Sequence, residues 1–540
     1  MAIVSPYSNT SVLILDDLPE MRSSLRSQLA SLGCEKVSVS GNVKDALELC
    51  KQNRFDVILC DFYLSGGTDG QQFLEYLRNR RIIGRSTVFV MVTAEKGYDN
   101  VVTAAECLPD DYLLKPFTAD ALKSRIERLV EKKKRLAKAD AMQDKGNWPE
   151  VIAACEEIIA AKDRHLVDAM RIKGNALIMA GRTENAVEFY QQMIAMRPMP
   201  WAQLGLARAL HLSGDMTGGK NTLQSLIIDS PKMMAAYDLL GRMHQESGDH
   251  DEALAVLDSA CEISPNSLAR HRAIASVAEE TGDYSRVEQA LNQVVKKTRN
   301  SPLRDTSDFA RLGNALTEMG EPGKAVQLLE EARTSFKEDA NNPLLSAVEA
   351  VAQQKAGRPE QAAQALTRAM QGGVSNLPQE IALAVAKACL ATGKQDEGEN
   401  ILKKLVQSSP DATGLHGKVS AVLRDNGLAE RAEQLVAESK REIIQLNNEA
   451  VRRARAGQLT AAAEMLVEAA NRLPGNVQIV TNASFALLFD VYTNGLDPAK
   501  IRMAQQFQQS AQTQNPKHPK LAEITELMGR IRSKYAAGKT

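Results

Sequence analysis

Ten glycines recur beyond residue 140, at positions 146, 181, 214, 248, 282, 320, 357, 393, 427 and 457, at intervals of 30 to 38 residues. Each closes an amphipathic stretch and opens a polar turn, as in LSGDM, ESGDH, ETGDY and EMGEP. A unit of that length is one pair of helices, too small to bury its apolar face alone. Neighbouring pairs must therefore stack into an all-α solenoid. Only 4% of the chain is aromatic, so the helices are expected to pack through alanine and leucine. At 540 residues the chain also exceeds what one hydrophobic core holds.

The first 130 residues follow a different rule. Short apolar runs at 11–16, 36–39, 56–61, 87–92 and 110–114 alternate with amphipathic stretches at 19–32, 42–52, 69–80 and 98–106, and a fifth begins near 118. Five such units in order predict an α/β, doubly wound, five-stranded parallel sheet. In an open sheet of this kind, functional groups collect outside the carboxyl ends of the strands. Those ends carry Asp16 and Asp17, Asp61, Thr93, then Tyr112 and Lys115. Three carboxylates, a hydroxyl and an amine are thus expected at one rim.

These marks, in this order, resemble the receiver domain of two-component response regulators. The resemblance rests on Asp16-Asp17, Asp61, Thr93-Ala94, and Tyr112 ahead of Lys115-Pro116, and covers residues 10–130. It implies strand order 2-1-3-4-5 and a phosphoacceptor aspartate, Asp61, that attacks phosphorus as a carboxylate. Clustered carboxylates call for a cation, and Mg²⁺ suits a site of one or two carboxylates, waters and phosphate oxygens. The resemblance makes Asp17 and Asp61 direct ligands, Asp16 a partner through water and the Tyr63 backbone carbonyl a further ligand. Lys115 would neutralise the phosphoryl oxygens, Thr93 would hydrogen-bond one of them, and Thr93 and Tyr112 would form the conformational switch. The implied donor is a phosphohistidine on a histidine kinase or phosphotransfer protein. Two stretches depart from the family pattern: the loop SGGTDG after Asp61 lacks the commoner proline and is one residue longer, and LPDDY replaces Gly-Ala-Asp-Asp-Tyr. Neither removes a catalytic group, but both leave the phosphoryl lifetime open.

The glycine register in turn resembles the tetratricopeptide repeat. Its best copy is AYDLLGRMHQESGDHDEALAVLDSACEISPN, with Gly241, Gly248, Ala253, Leu257, Ala260 and Pro265 in place. Residues 174, 181, 186 and 198 repeat the pattern, as do 313, 320, 325 and 332. Such arrays imply a concave groove that binds a protein or peptide. The expected layout is a tail at 1–9, the receiver at 10–130, a connecting helix at 131–145, a solenoid over 140–515 and a capping helix with tail at 516–540.

A formal net charge of -1 argues against nucleic-acid binding by bulk electrostatics. The run Lys132-Lys133-Lys134-Arg135 is expected to be a solvated helix face. Seven cysteines without a CxxC pair suggest reduced thiols, and no stretch reaches the roughly 18 apolar residues of a membrane span. A cytoplasmic protein is expected, with a homodimer left open. The sequence-based expectation is a phosphorylation-gated adaptor, not an enzyme beyond its own phosphotransfer and reset. The alternative is a constitutive repeat scaffold whose receiver is a docking module or phosphate sink.

Overall fold

The computed structural model describes residues 7–64, 69–94, 109–299, 304–336, 342–373, 377–516 and 518–536. The helix expected at 98–106, Cys107 and most of the loop after Asp61 lie outside them. The chain divides into two compact units, Met1–Asp308 and Phe309–Thr540.

The first unit begins with strands β1 (Ser11–Leu15), β2 (Lys36–Ser40), β3 (Val57–Asp61), β4 (Val88–Thr93) and β5 (Asp111–Leu114), each within one residue of its expected bounds. They form one parallel sheet in the order β2-β1-β3-β4-β5. Side chains alternate across a strand, so odd and even positions fall into different cores. Val12, Ile14, Val57, Leu59, Val88, Val90 and Val92 pack with α1 (Pro19–Ser31) on one face. Leu13, Leu15, Ile58, Cys60, Phe89 and Met91 pack with α2 (Val43–Gln52) and α3 (Gly70–Asn79) on the other. Both faces are covered, which is why β3 and β4 are buried along their whole length.

Helix α4, Ala119–Asp144, runs 26 residues without a break. Leu122, Ile126 and Leu129 lie in the sheet core, whereas Leu136 and Ala139 lie in the core of the first repeats. The basic run on α4 is only in part the solvated face the sequence suggested: Lys134 and Arg135 are exposed, but Lys132 and Lys133 are half-buried. Lys133 pairs with Asp110 at 2.9 Å and donates to the Arg85 carbonyl at 2.6 Å, back toward the sheet. Lys132 reaches Asp168 at 2.5 Å and Arg135 reaches Asp163 at 2.6 Å, forward toward the repeats. Acidic residues distant in sequence recruit three of the four cations, a pairing that local charge patterning does not show.

Helix pairs follow, and all ten periodic glycines have positive φ, between 69° and 92°. Gly248, for example, turns with φ +80° directly after the helix Met234–Glu246, a backbone state that L side chains disfavour. A second set of glycines acts by close approach. A Cβ at Gly174 or Gly205 would lie 2.5 Å or 2.3 Å from the Tyr190 ring, so one tyrosine fills the space opposite two glycines.

The second unit continues the pattern in helices from Phe309 to Ala536. One departure explains the 30-residue interval between Gly427 and Gly457: a single 27-residue helix, Ala429–Arg455, spans it. With no glycine or proline after Gly427 to stop it, the second helix of one repeat runs directly into the first of the next. The helix Lys520–Ala536 closes the unit, with Ile524, Leu527 and Ile531 buried against the preceding pair. Among the described residues, no helix is long and apolar enough to cross a membrane.

Candidate functional site

The sheet brings the acidic residues together at its carboxyl rim. Asp61 ends β3 with 8% of its surface exposed, and Asp16, one residue past β1, has 1%. Asp17 beside it is half-buried. Each offers one carboxylate oxygen, and all three oxygens lie within 4.8 Å of one another. Lys115, the first residue after β5, places Nζ 2.9 Å from Asp61 Oδ2 and 2.9 Å from Asp16 Oδ2.

The charges explain this geometry. Burial pushes the Asp61 carboxyl up, the Lys115 hydrogen bond and charge pull it back, and Asp16 raises it again, so it stays above its ordinary value. For Lys115, burial acts downward, but the hydrogen bonds to Asp61 and Asp16 outweigh it and hold the ammonium form. The cluster therefore contains one fixed cation among three acids.

Backbone bonds fix the rim around these groups. Phe62 N–H donates to the Val92 carbonyl at 2.9 Å, and Lys115 N–H to the Thr93 carbonyl at 2.7 Å. Thr93 is buried at the end of β4, opposite Leu114 in register and one strand from Asp61. Tyr112 is buried in the core shared with α2 and α3, its ring inside the domain. Tyr63 stands two residues beyond Asp61, 54% exposed. The structure thus gathers Asp16, Asp17, Asp61 and Lys115 into one cluster, places Thr93 on its rim and sets Tyr112 in the core behind it.

Hard carboxylate oxygens, one of them on the half-buried Asp17, suit a small divalent cation such as Mg²⁺ that retains water. This donor chemistry fits the acidic pocket in which receiver domains typically bind Mg²⁺.

Two supporting residues were not singled out from sequence. Arg22 Nη1 donates to the Asp16 carbonyl at 2.7 Å, fixing the end of β1. Gly70 sits directly beneath Asp61: its N–H donates to the Phe62 carbonyl at 2.8 Å, and a Cβ there would lie 2.4 Å from the Asp61 carbonyl oxygen. Its signal was an Asp-Gly pair opening an amphipathic helix, which reads as a turn until the strand end above it is placed. Asp69 completes the start of α3 with a capping box, accepting from Gln72 N–H at 2.7 Å.

In the second unit, a cavity of about 380 Å³ is lined by Leu377, Ala382, Ile401 and Leu405, with Lys404 and Arg472 among its polar groups.

Residues 12–127 match the response regulator receiver domain family, and residues 204–267 and 244–305 match tetratricopeptide repeat families. The chemotaxis protein CheY of Pseudomonas aeruginosa is 32% identical over 121 residues, 22% of this chain and 96% of that protein. The solved receiver domain of the Francisella response regulator 1452 is 29% identical, covering 23% of this chain and 98% of that one, with a TM-score of 0.21. A tetratricopeptide repeat protein from Parabacteroides merdae is 16% identical, covering 48% of this chain and 98% of that one, with a TM-score of 0.31. With the sheet order, the rim and the repeats all in agreement, this chain belongs to the response regulator receiver family through its N-terminal domain and carries a tetratricopeptide-repeat array behind it.

Proposed function

We propose that this chain is a response regulator that takes a phosphoryl group onto Asp61 and whose output is protein binding by the repeats. The observation that carries this reading is the rim cluster: three carboxylate oxygens within 4.8 Å, with Lys115 Nζ 2.9 Å from two of the acids. An Asp61 oxygen forms the new bond to phosphorus while the P–N bond of a phosphohistidine on a histidine kinase or phosphotransfer protein breaks, its electron pair staying on the imidazole. Lys115 then pairs with the phosphoryl oxygens, and Thr93 supplies a hydroxyl to one of them. Asp17, Asp61 and the Tyr63 carbonyl would hold Mg²⁺ directly, and Asp16 through water; the ion would supply charge neutralisation for the incoming phosphate. Thr93 and Tyr112 form the switch between two receiver states.

The test uses wild type and Asp61→Asn, each treated with Mg²⁺ and acetyl phosphate. Intact mass should show a phosphoryl adduct on wild type alone, and the set of proteins captured by the repeats should change with it. An adduct with an unchanged set would point to a scaffold whose receiver is a phosphate sink. Absence of an adduct from acetyl phosphate and from any histidine kinase would overturn the phosphoacceptor reading.

A further inference from the structure

In the second unit a turn reaches back across nearly two repeat lengths. Asn476, 1% exposed, caps the helix Val477–Asn494 by accepting from Ile479 N–H at 3.0 Å, and its amide donates to the Gln407 carbonyl, 69 residues earlier, at 2.6 Å. Gln514, the last residue of the helix Pro498–Gln514, donates to the Pro474 carbonyl at 2.9 Å and to Ser510 Oγ at 3.0 Å. Gly475 lies between these anchors, where a Cβ would stand 3.4 Å from Ser408. Two hydrogen bonds and a packing contact thus hold the turn over the end of the helix Gln395–Ser408. The cavity of about 380 Å³ lies where they meet, next to the start of the helix Gln379–Ala391. Its volume is in the range of small-ligand sites, roughly 300–1,000 Å³.

The floor of this cavity is apolar. Ala382, Ile401 and Leu415 are buried in the core, and Leu377 and Leu405 pack against it. The charge above the floor has one sign: none of the fourteen described lining residues is acidic, in a chain whose 67 acids match its 66 lysines and arginines. Arg472 is already met by Glu468, one turn earlier on its own helix. Lys404 is not met. Among the described residues it makes no ion pair or hydrogen bond, whereas Lys403 beside it reaches Glu442 at 2.6 Å. A half-buried ammonium at the edge of an apolar floor is completed by an anion that brings hydrocarbon with it.

The lining also narrows the anion. It holds no aromatic ring to stack a base and no acid to receive a ligand's ammonium, which disfavours a nucleotide and a free amino acid. One unmet cation matches a single negative charge, and five aliphatic side chains match an alkyl chain.

We propose that this cavity binds a medium-chain aliphatic carboxylate, its chain on Leu377, Ile401 and Leu405 and its head group on Lys404. The repeats would then carry a small-molecule input of their own, one that does not rest on the phosphoacceptor reading.

Titration calorimetry on the full chain tests this with octanoate, octan-1-ol and octyl phosphate. Octanoate should bind saturably at one site and at least about tenfold more tightly than octan-1-ol, the usual gain from one charge-assisted hydrogen bond. Lys404→Met should remove that advantage and leave octan-1-ol unchanged, and Ser510→Phe, which fills the cavity, should weaken both, with circular dichroism confirming that the helices are kept. Bound octanoate should slow amide exchange across residues 401–409 and 473–479. Absence of saturable binding, an octanoate affinity unaltered in Lys404→Met, or protection confined to other segments would overturn the site. Tighter binding of octyl phosphate than of octanoate would overturn the carboxylate assignment.

Discussion

Lys115 Nζ lies 2.9 Å from an oxygen of Asp61 and 2.9 Å from an oxygen of Asp16, one ammonium shared by two buried acids. Lys115→Met removes the fixed cation, and phosphoryl transfer from acetyl phosphate to Asp61 should slow by about a hundredfold, the usual loss when one such charge-stabilising group is deleted. The initial rate of adduct formation by intact mass checks this, with circular dichroism confirming that the fold is kept.

Gly70→Ala should destabilise the receiver by about 1–3 kcal/mol, since the added methyl meets backbone, and backbone cannot step aside as a side chain can. The Asp61 carbonyl oxygen would be 2.4 Å away. Urea unfolding followed by receiver amide exchange is the measurement; an unchanged midpoint would show that α3 is free to retreat from the strand end.

The two kinds of repeat glycine should respond to different substitutions. At Gly174 the obstacle is the Tyr190 ring, so Gly174→Ala should cost about 1–3 kcal/mol and be partly rescued by Tyr190→Leu. At Gly248 a Cβ would meet nothing within 4 Å, yet φ is +80°. Gly248→Ala should therefore cost about 1–2 kcal/mol through the backbone alone, and no partner substitution should restore it.

Glu318 supplies a pH dependence. Burial acts to raise its carboxyl, but Lys387 and Lys355, at 2.6 Å and 2.8 Å, outweigh it and hold the group below its ordinary value of 4.5. A depressed acid stabilises the fold above that value and loses its contribution as pH falls through the lower, folded one. Wild type should therefore unfold at a higher temperature than Glu318→Gln at neutral pH, and the gap should close in acid. A gap constant from pH 7 to pH 3 would contradict the assignment.

The fold was legible where the physics is local. Strand alternation divides Val12 and Ile14 from Leu13 and Leu15, and the positive-φ glycines mark helix ends, so both the sheet and the repeats could be read from spacing. The rim residues Asp16, Asp17, Asp61 and Lys115 were legible because each follows an apolar run. Relations between distant segments were not. Asp168 on the helix Leu166–Met179 and Asp163 in the turn before it claim Lys132 and Arg135, and Gly70 matters only because Asp61 folds above it. The helix Ala429–Arg455 was concealed by the same glycine register that revealed the others, since a missing turn shows only as a shorter interval.

The uninterrupted helix α4 sets an angular phase. Its 26 residues extend about 39 Å, and each residue added to an α-helix advances it by about 100°. Leu129 lies in the sheet core and Leu136 in the repeat core, so one residue inserted between them would rotate the repeats about the helix axis relative to the sheet. Spacing along this shaft is thereby fixed as tightly as any residue at the rim, and chains of this design should tolerate substitutions between positions 130 and 135 far better than a change in their number.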